Sequence, residues 1–234
     1  MALTIPIAGA VGLLAAWITG SPRMLYVFAF PIARGLVWVA GIRLRVIGRD
    51  RLDPETTYVF VANHASNVDP PLAFVAIGRS IRALAKAAVF KLPVFGAVLR
   101  AAQFPPVHRD DRERGIRAID MAAEGLRKGH DFLVFAEGTR SKDGRLQTFK
   151  KGPFVMAIKA QVPVVPVVIR GTHRIQPKGR LAITPGVAEI EFLSPIPTDG
   201  LVFGDRNELR DRAHAAVSRA LDAAEVGIVG GGLQ

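Results

Sequence analysis

Asn63-His64-Ala65-Ser66-Asn67-Val68-Asp69 sets an imidazole five residues before a carboxylate, just past an apolar run. On a continuous helix that spacing turns the chain by about 500°, and the two side chains diverge. In a turn leading into a helix that opens with Pro70 and Pro71 they can meet. The contact expected there is the Asp69 carboxylate accepting from one imidazole nitrogen. That bond fixes the tautomer and leaves the other nitrogen as a general base. The plainer alternative makes Asp69 a helix N-cap and His64 a turn residue. Asn63 and Ser66, in the same turn at a strand end, favour the reactive arrangement.

A second constellation, Phe135-Ala136-Glu137-Gly138-Thr139-Arg140-Ser141, also follows an apolar run. Gly138 permits close backbone approach to a ligand. Arg140 offers a two-pronged fork to a phosphate, and Thr139 and Ser141 offer hydroxyls. Glu137 can hold Arg140 or accept from a substrate hydroxyl. A turn with a solvated ion pair would look the same. Around both lie Lys86, Lys91, Arg109, Lys142, Arg145, Lys150 and Lys151. Most such charges are solvated surface, but one or two suffice to hold a phosphate. Arg109, before a charged helix start, is better placed than most, and Lys86 and Lys91 flank an apolar segment. Other chemistries lack their motifs: there is no Gly-x-Ser-x-Gly elbow, phosphate-binding P-loop, dinucleotide glycine fingerprint or His-Glu-x-x-His. The remaining histidines have no metal-ligand spacing, and without Cys there are no thiolate sites.

The elements that must position these groups alternate. Leu44–Gly48 and Tyr58–Ala62 read as strands and Pro70–Ile77 as a short helix. Pro93–Ala101 reads as a helix and Phe104–His108 as a strand. Asp111–Lys128 is a helix with an acidic start and a basic end before Gly129. Phe132–Ala136 is a fully buried strand, followed by a loop over 138–152 and a short helix over Pro153–Lys159. Val162–Ile169 and Val187–Phe192 are further strands, and Asp205–Ala224 is a closing helix. This alternation predicts an α/β layered domain with a mostly parallel central sheet. Three parts are expected: an N-terminal anchor over 1–43, a domain over 44–225, and a flexible tail over 226–234.

The chain has 234 residues, half of them hydrophobic, and a net charge of +11. That length suits one domain, and the apolar content excludes disorder. Residues 79–180 carry 21 Lys and Arg against eight acids, more than the whole excess. Such concentration points to an anionic ligand or membrane surface. Residues 1–22 carry no charged side chain, and two further apolar runs follow, Met24–Ala33 and Leu36–Ile42. A signal peptide lacks its basic start here, since the first Arg is Arg23. A buried core helix is a second reading. A membrane-embedded hairpin or interfacial anchor fits best: Trp17, Tyr26 and Trp38 are three of the chain's four Trp and Tyr, and Arg23, Arg34, Arg43 and Arg45 suit anionic lipid.

Together these residues resemble the glycerophospholipid acyltransferase family. Asn63-His64-x-Ser66-x-x-Asp69 matches its first block, Pro106-Val107-His108-Arg109 its second, Phe135–Ser141 its third and Val162–Val167, with Pro166, its fourth. The blocks occur in order, across roughly residues 44–197. Ala136 replaces a usual proline, and His108 stands where an acid often precedes the arginine.

The resemblance implies transfer of a fatty acyl group from a thioester, acyl-CoA or acyl carrier protein, to the free hydroxyl of 1-acyl-glycerol-3-phosphate, giving phosphatidic acid. His64 would be the base oriented by Asp69. Arg140 and Arg109, with Lys86 assisting, would hold the acceptor phosphate within the Glu137-Gly138-Thr139-Arg140 block. No metal or cofactor is expected. The expected location is a membrane, with the site on its cytoplasmic face. The nearest rivals use glycerol-3-phosphate, another lysophospholipid or a lyso-aminolipid. A remote rival is a non-enzymatic basic protein binding nucleic acid or anionic lipid. It lacks a recognisable nucleic-acid module, so no nucleic-acid partner is expected.

Overall fold

In the computed structural model, residues 13–15, 17–19, 23–107 and 111–230 are described. A six-stranded sheet in the order β1-β8-β7-β2-β6-β3 forms the middle layer. Its strands are β1 Ile42–Ile47, β2 Val59–Ala62, β3 Ile81–Ala83, β6 Asp131–Phe135, β7 Val164–Arg170 and β8 Gly186–Phe192. Four of the five pairings are parallel; only β7 and β8 run opposite to each other. Thus β3, β6, β2 and β7 share one direction, and β8 and β1 run the other way. The alternation of strands and helices predicts the layers and the mainly parallel sheet, but not this reversal. Two short strands, β4 Ala85–Lys86 and β5 Pro106–Val107, form a separate ladder.

The helices are α1 Arg23–Val39, α2 Asp69–Ile77, α3 Phe95–Ala101, α4 Arg112–Arg127, α5 Gly152–Ala160, α6 Thr172–Ile175 and α7 Arg206–Gly230. The period-2 alternation of the strands sorts the core into two faces. Val59 and Val61 of β2, Phe132 and Val134 of β6, and Val164 and Val168 of β7 pack under α4, α5 and α7. Phe60 and Ala62, Leu133, Val165 and Val167 turn to the other face, under α2. β2 lies between two parallel neighbours and is wholly buried, which its Val-Phe-Val-Ala sequence suits.

Helix α4 starts where its cap predicts: the Asp111 side chain accepts from Arg114 N at 2.9 Å. Helix α2 has Pro70 and Pro71 in its first turn and closes on Gly78 at φ +68°. Asp69 is not its N-cap, contrary to the plainer alternative; that place falls to Val68. Helix α2 begins at Asp69 itself, and that carboxylate folds back into the preceding turn. Helix α7 continues to Gly230, into the stretch expected to be a tail; residues 231–234 lie outside the described residues.

The apolar run Met24–Ala33 and the next run as far as Val39 form α1, while Ile42 opens β1. Helix α1 lies over α2, with Phe30 stacked on Phe74 at 4.3 Å between ring centroids. The Tyr26 hydroxyl donates to the Ile81 carbonyl of β3 at 2.8 Å, and burial pushes that phenol up to about 12. Trp38 is 80% exposed nonetheless. Among the described residues, no helix is long and apolar enough to cross a membrane. Residues 1–12, the greater part of the first apolar run, lie outside the described residues.

Candidate active site

Parallel neighbours end on the same edge of a sheet, and here that rule brings the two chemical motifs together. Ala62 of β2 is in register with Phe135 of β6 on one side and with Val167 of β7 on the other. One residue past Ala62, Asn63 continues the pairing with its side chain. Its Nδ2 donates to Ile169 O at 2.9 Å, and its Oδ1 accepts from Ile169 N at 2.8 Å. The chain then leaves the sheet at His64, level with the turn that follows β6.

The His64–Asp69 contact expected from spacing is present: Nδ1 lies 2.8 Å from Asp69 Oδ2. The same oxygen accepts from the backbone N–H groups of Ala65 at 2.7 Å and Ser66 at 2.8 Å. Asp69 is fully buried and His64 is 16% exposed. The carboxylate therefore shapes the loop as well as the imidazole. Ser66 Oγ donates to Gln176 O at 2.8 Å, which ties the loop to the segment after α6. The His64 ring stacks on Phe135 at 4.2 Å, with 27° between the planes. A hydrogen bond at Nδ1 and a ring against one face leave Nε2 as the free nitrogen.

Glu137 meets this loop directly. Its Oε1 accepts from His64 N at 2.9 Å, and its Oε2 accepts from Gln147 Nε2 at 2.8 Å. It neither pairs with Arg140 nor stands free for a substrate hydroxyl. Burial pushes this carboxyl up to about 7, against the pull of those two donors. The turn is closed by Gly138 N donating to Phe135 O at 3.0 Å, with Gly138 at φ +72°, a conformation that favours glycine. The Lys150 side chain runs along the same glycine: a Cβ built there would lie 3.4 Å from Lys150 Cγ. Ser141 N donates to His64 O at 2.8 Å, a second direct link between the motifs.

Thr139 is exposed and Arg140 half-buried at the tip of the turn. Lys178, beyond α6, reaches across with Nζ 2.7 Å from Arg140 O and 3.4 Å from Thr139 Oγ1. Neither Gln147 nor Lys178 stands out in sequence. Gln147 sits in the basic loop and Lys178 lies 38 residues from its partner, so no local pattern marks either contact. Lys86 lies apart from this hydrogen-bonded set: it is exposed on the separate β4–β5 ladder, in register with Val107. Arg109 lies outside the described residues. Among the described residues, no cluster of His, Asp and Glu could hold a metal ion.

Fold and site together define a class: a layered α/β domain whose central parallel strands end in a carboxylate-oriented imidazole beside a Glu-Gly-Thr-Arg turn. The chain belongs to the acyltransferase family, whose model matches residues 43–170. It is 33% identical over 167 residues to 1-acyl-sn-glycerol-3-phosphate acyltransferase of Cocos nucifera, covering 71% of this chain and 54% of the relative. It is 32% identical over 180 residues to the alpha form of that enzyme from Homo sapiens, covering 75% of this chain and 62% of the relative. The chain thus spans only part of these longer relatives. Among solved structures it is similar to the 1-acyl-sn-glycerophosphate acyltransferase PlsC of Thermotoga maritima. That match has a TM-score of 0.81 at 28% identity, covering 93% of this chain and 88% of the other.

Proposed function

We propose that this chain transfers a fatty acyl group from an acyl thioester to the free hydroxyl of 1-acyl-glycerol-3-phosphate, giving phosphatidic acid. One observation carries the reading: the imidazole held by Asp69 at 2.8 Å stands at the strand end beside the Glu137–Arg140 turn. The relatives that act on 1-acyl-glycerol-3-phosphate support the acceptor.

His64 Nε2 takes the proton from the acceptor hydroxyl as its oxygen attacks the thioester carbonyl carbon. The tetrahedral intermediate collapses, the carbon–sulfur bond breaks, and Nε2 returns the proton to the leaving thiolate. Asp69 keeps the imidazole in one tautomer and one orientation throughout. A thioester is already activated, so neither a covalent enzyme intermediate nor a metal is needed. Acyl-CoA and acyl carrier protein present the same thioester to this chemistry. Arg140 and Arg109 hold the acceptor phosphate, with Lys86 adding charge. Glu137 supports His64 through the backbone. The lysolipid acceptor lies in a bilayer, which the apolar N-terminal segment engages, with the site on the cytoplasmic side where acyl thioesters are available.

The test is an acyl-transfer assay on detergent-purified protein with a long-chain acyl-CoA, beside His64→Ala. Lysophosphatidate, lysophosphatidylcholine and glycerol-3-phosphate are offered in parallel. The expected result is turnover with lysophosphatidate that falls by about 10²–10⁴ in the variant, the usual worth of general-base help. Turnover on another acceptor alone would overturn the acceptor. Near-normal turnover in folded His64→Ala would overturn the base.

A further inference from the structure

Between Asp69 and Asp110 the chain has no acidic residue but six basic ones, Arg79, Arg82, Lys86, Lys91, Arg100 and Arg109. Arg79 is spent on the buried Asp131 carboxylate, at 2.6 Å, and Arg82 donates to Gln103. Lys91 and Arg100 lie exposed on a small lobe built from the β4–β5 ladder, a short 3-10 helix over Ala87–Lys91 and α3.

The lobe is a built structure. Gly96 packs so closely under the chain that a Cβ there would lie 2.2 Å from Phe90 O. Gly96 N donates to Leu92 O at 2.9 Å, and Arg100 Nη1 donates to Phe90 O at 2.8 Å. With the backbone of 90–96 fixed in this way, Leu92 and Phe95 are turned outward, 53% and 44% exposed. Two large apolar side chains flanked by cations, with no acid on the segment, form a surface that water solvates poorly and anionic lipid solvates well.

The position of the lobe selects the occupant. The Tyr26–Ile81 hydrogen bond fixes the start of α1 beside β3, and β3 leads directly into β4 and the lobe. The helical residues before α1 expose Leu14, Trp17 and Ile18. The start of α1 therefore lies beside the edge strand that leads into the lobe. We propose that the lobe bearing Lys91, Leu92, Phe95 and Arg100 is a membrane-contact surface for an anionic bilayer, distinct from the N-terminal apolar segment. Leu92 and Phe95 enter the headgroup–acyl boundary, while Lys91 and Arg100 meet lipid phosphates. Both surfaces touch one bilayer, which restrains how the domain is oriented on it. The inference goes beyond the proposed acyl transfer and stands on its own geometry.

The chain has no Cys, so a single introduced cysteine labels uniquely. Full-length Leu92→Cys, Phe95→Cys and, on α7, Glu208→Cys are labelled with an environment-sensitive fluorophore, with folding checked by circular dichroism. Each is bound to vesicles of phosphatidylcholine with about one-third phosphatidylglycerol, a surface that attracts juxtamembrane cations. Emission at positions 92 and 95 should shift to the blue and be quenched by lipids brominated near the headgroup, while position 208 should not respond. Adding Lys91→Glu should weaken the response at 95 by about five-fold or more. Labels at 92 and 95 that stay water-exposed on protein that sediments with the vesicles would overturn the proposal. A response to an acidic acyl carrier protein, or to rising protein concentration without vesicles, would assign the lobe to another partner and equally overturn it. Acyl transfer measured on the same samples keeps failure of this surface distinct from failure of the proposed reaction.

Discussion

The two halves of the candidate site are built to different standards. Around His64 and Asp69 the geometry is tightly held: one carboxylate oxygen accepts three donors and the ring is stacked, while the other carboxylate oxygen, Oδ1, is buried without a partner among the described residues. The backbone of His64 is held at both N–H and C=O by the turn carrying Glu137 and Ser141. The cationic half is loose. Arg140 is half-buried, Lys178 grips only the backbone carbonyl and hydroxyl beside it, and Lys86 is exposed on another ladder. Proton transfer needs heavy atoms within about 3 Å, so a displaced imidazole is useless. Attraction between unit charges falls only as the inverse of distance, so a cation a few ångströms out of place still binds. The sequence therefore spends its buried hydrogen bonds on the proposed base and leaves the proposed anion side to long, solvated side chains.

Breaking the tight half is expected to cost most. Asp69→Asn removes the charge beside Nδ1 and presents an amide to three donors that one oxygen now serves. We expect kcat to fall by about 10²–10⁴, comparable with losing the base, with little change in acceptor KM. Steady-state kinetics on folded protein would show otherwise if KM alone rose.

The loose half should yield more gently. Arg140→Ala should raise the KM for lysophosphatidate by about 10- to 100-fold, the worth of a charge-assisted contact of about 1.5–3 kcal/mol, and leave the KM for acyl-CoA unchanged. Lys178→Met should act in the same direction by about ten-fold or less, since it positions the turn through one strong hydrogen bond. Lys86→Ala should be smaller still and should vanish at high salt, as an exposed charge does. A loss at Lys86 that is as large as at Arg140 and indifferent to salt would mean that the two halves are equally ordered.

What the sequence discloses follows the range of the interaction. His64 and Asp69 are five residues apart in one turn, so their meeting is legible from spacing and the prolines that follow. The meeting of that turn with Glu137 depends on β2 and β6 being neighbours. Alternating strands and helices predict a parallel sheet without giving its order. The backbone bond from His64 N to Glu137, the Gln147 contact and the reach of Lys178 are set only by that order. Asp69 illustrates the limit at short range: an acid before two prolines reads as a cap or, with Asn63 and Ser66 beside it, as a partner for His64, and the backbone donors of Ala65 and Ser66 show that the carboxylate folds back into the turn. The third strand escapes periodicity because Ile81–Ala83 is three residues long with one fully buried side chain. The turnover of sheet direction at β8 leaves no local mark at all.

The smallest expected effect tests the joint between the halves. Buried Glu137 has its carboxyl pushed up to about 7, against an ordinary value of 4.5. Its folded form therefore binds a proton more tightly than its unfolded form. That contribution to stability is fully present below about pH 4.5 and is lost as pH rises through about 7. Glu137→Gln keeps an acceptor for His64 N and an amide that can turn toward Gln147, but it cannot ionise. Denaturation at pH 5 and at pH 7.5 should show the wild type losing stability relative to the variant as pH rises. The difference should be on the order of 1–2 kcal/mol, less than the full shift implies because solvent beside exposed Thr139 screens the turn. Parallel pH profiles for the two proteins would mean that Glu137 is charged at little cost. His64 would then be held by an ionised carboxylate across the whole range, and the tight half of the site would carry a second fixed negative charge.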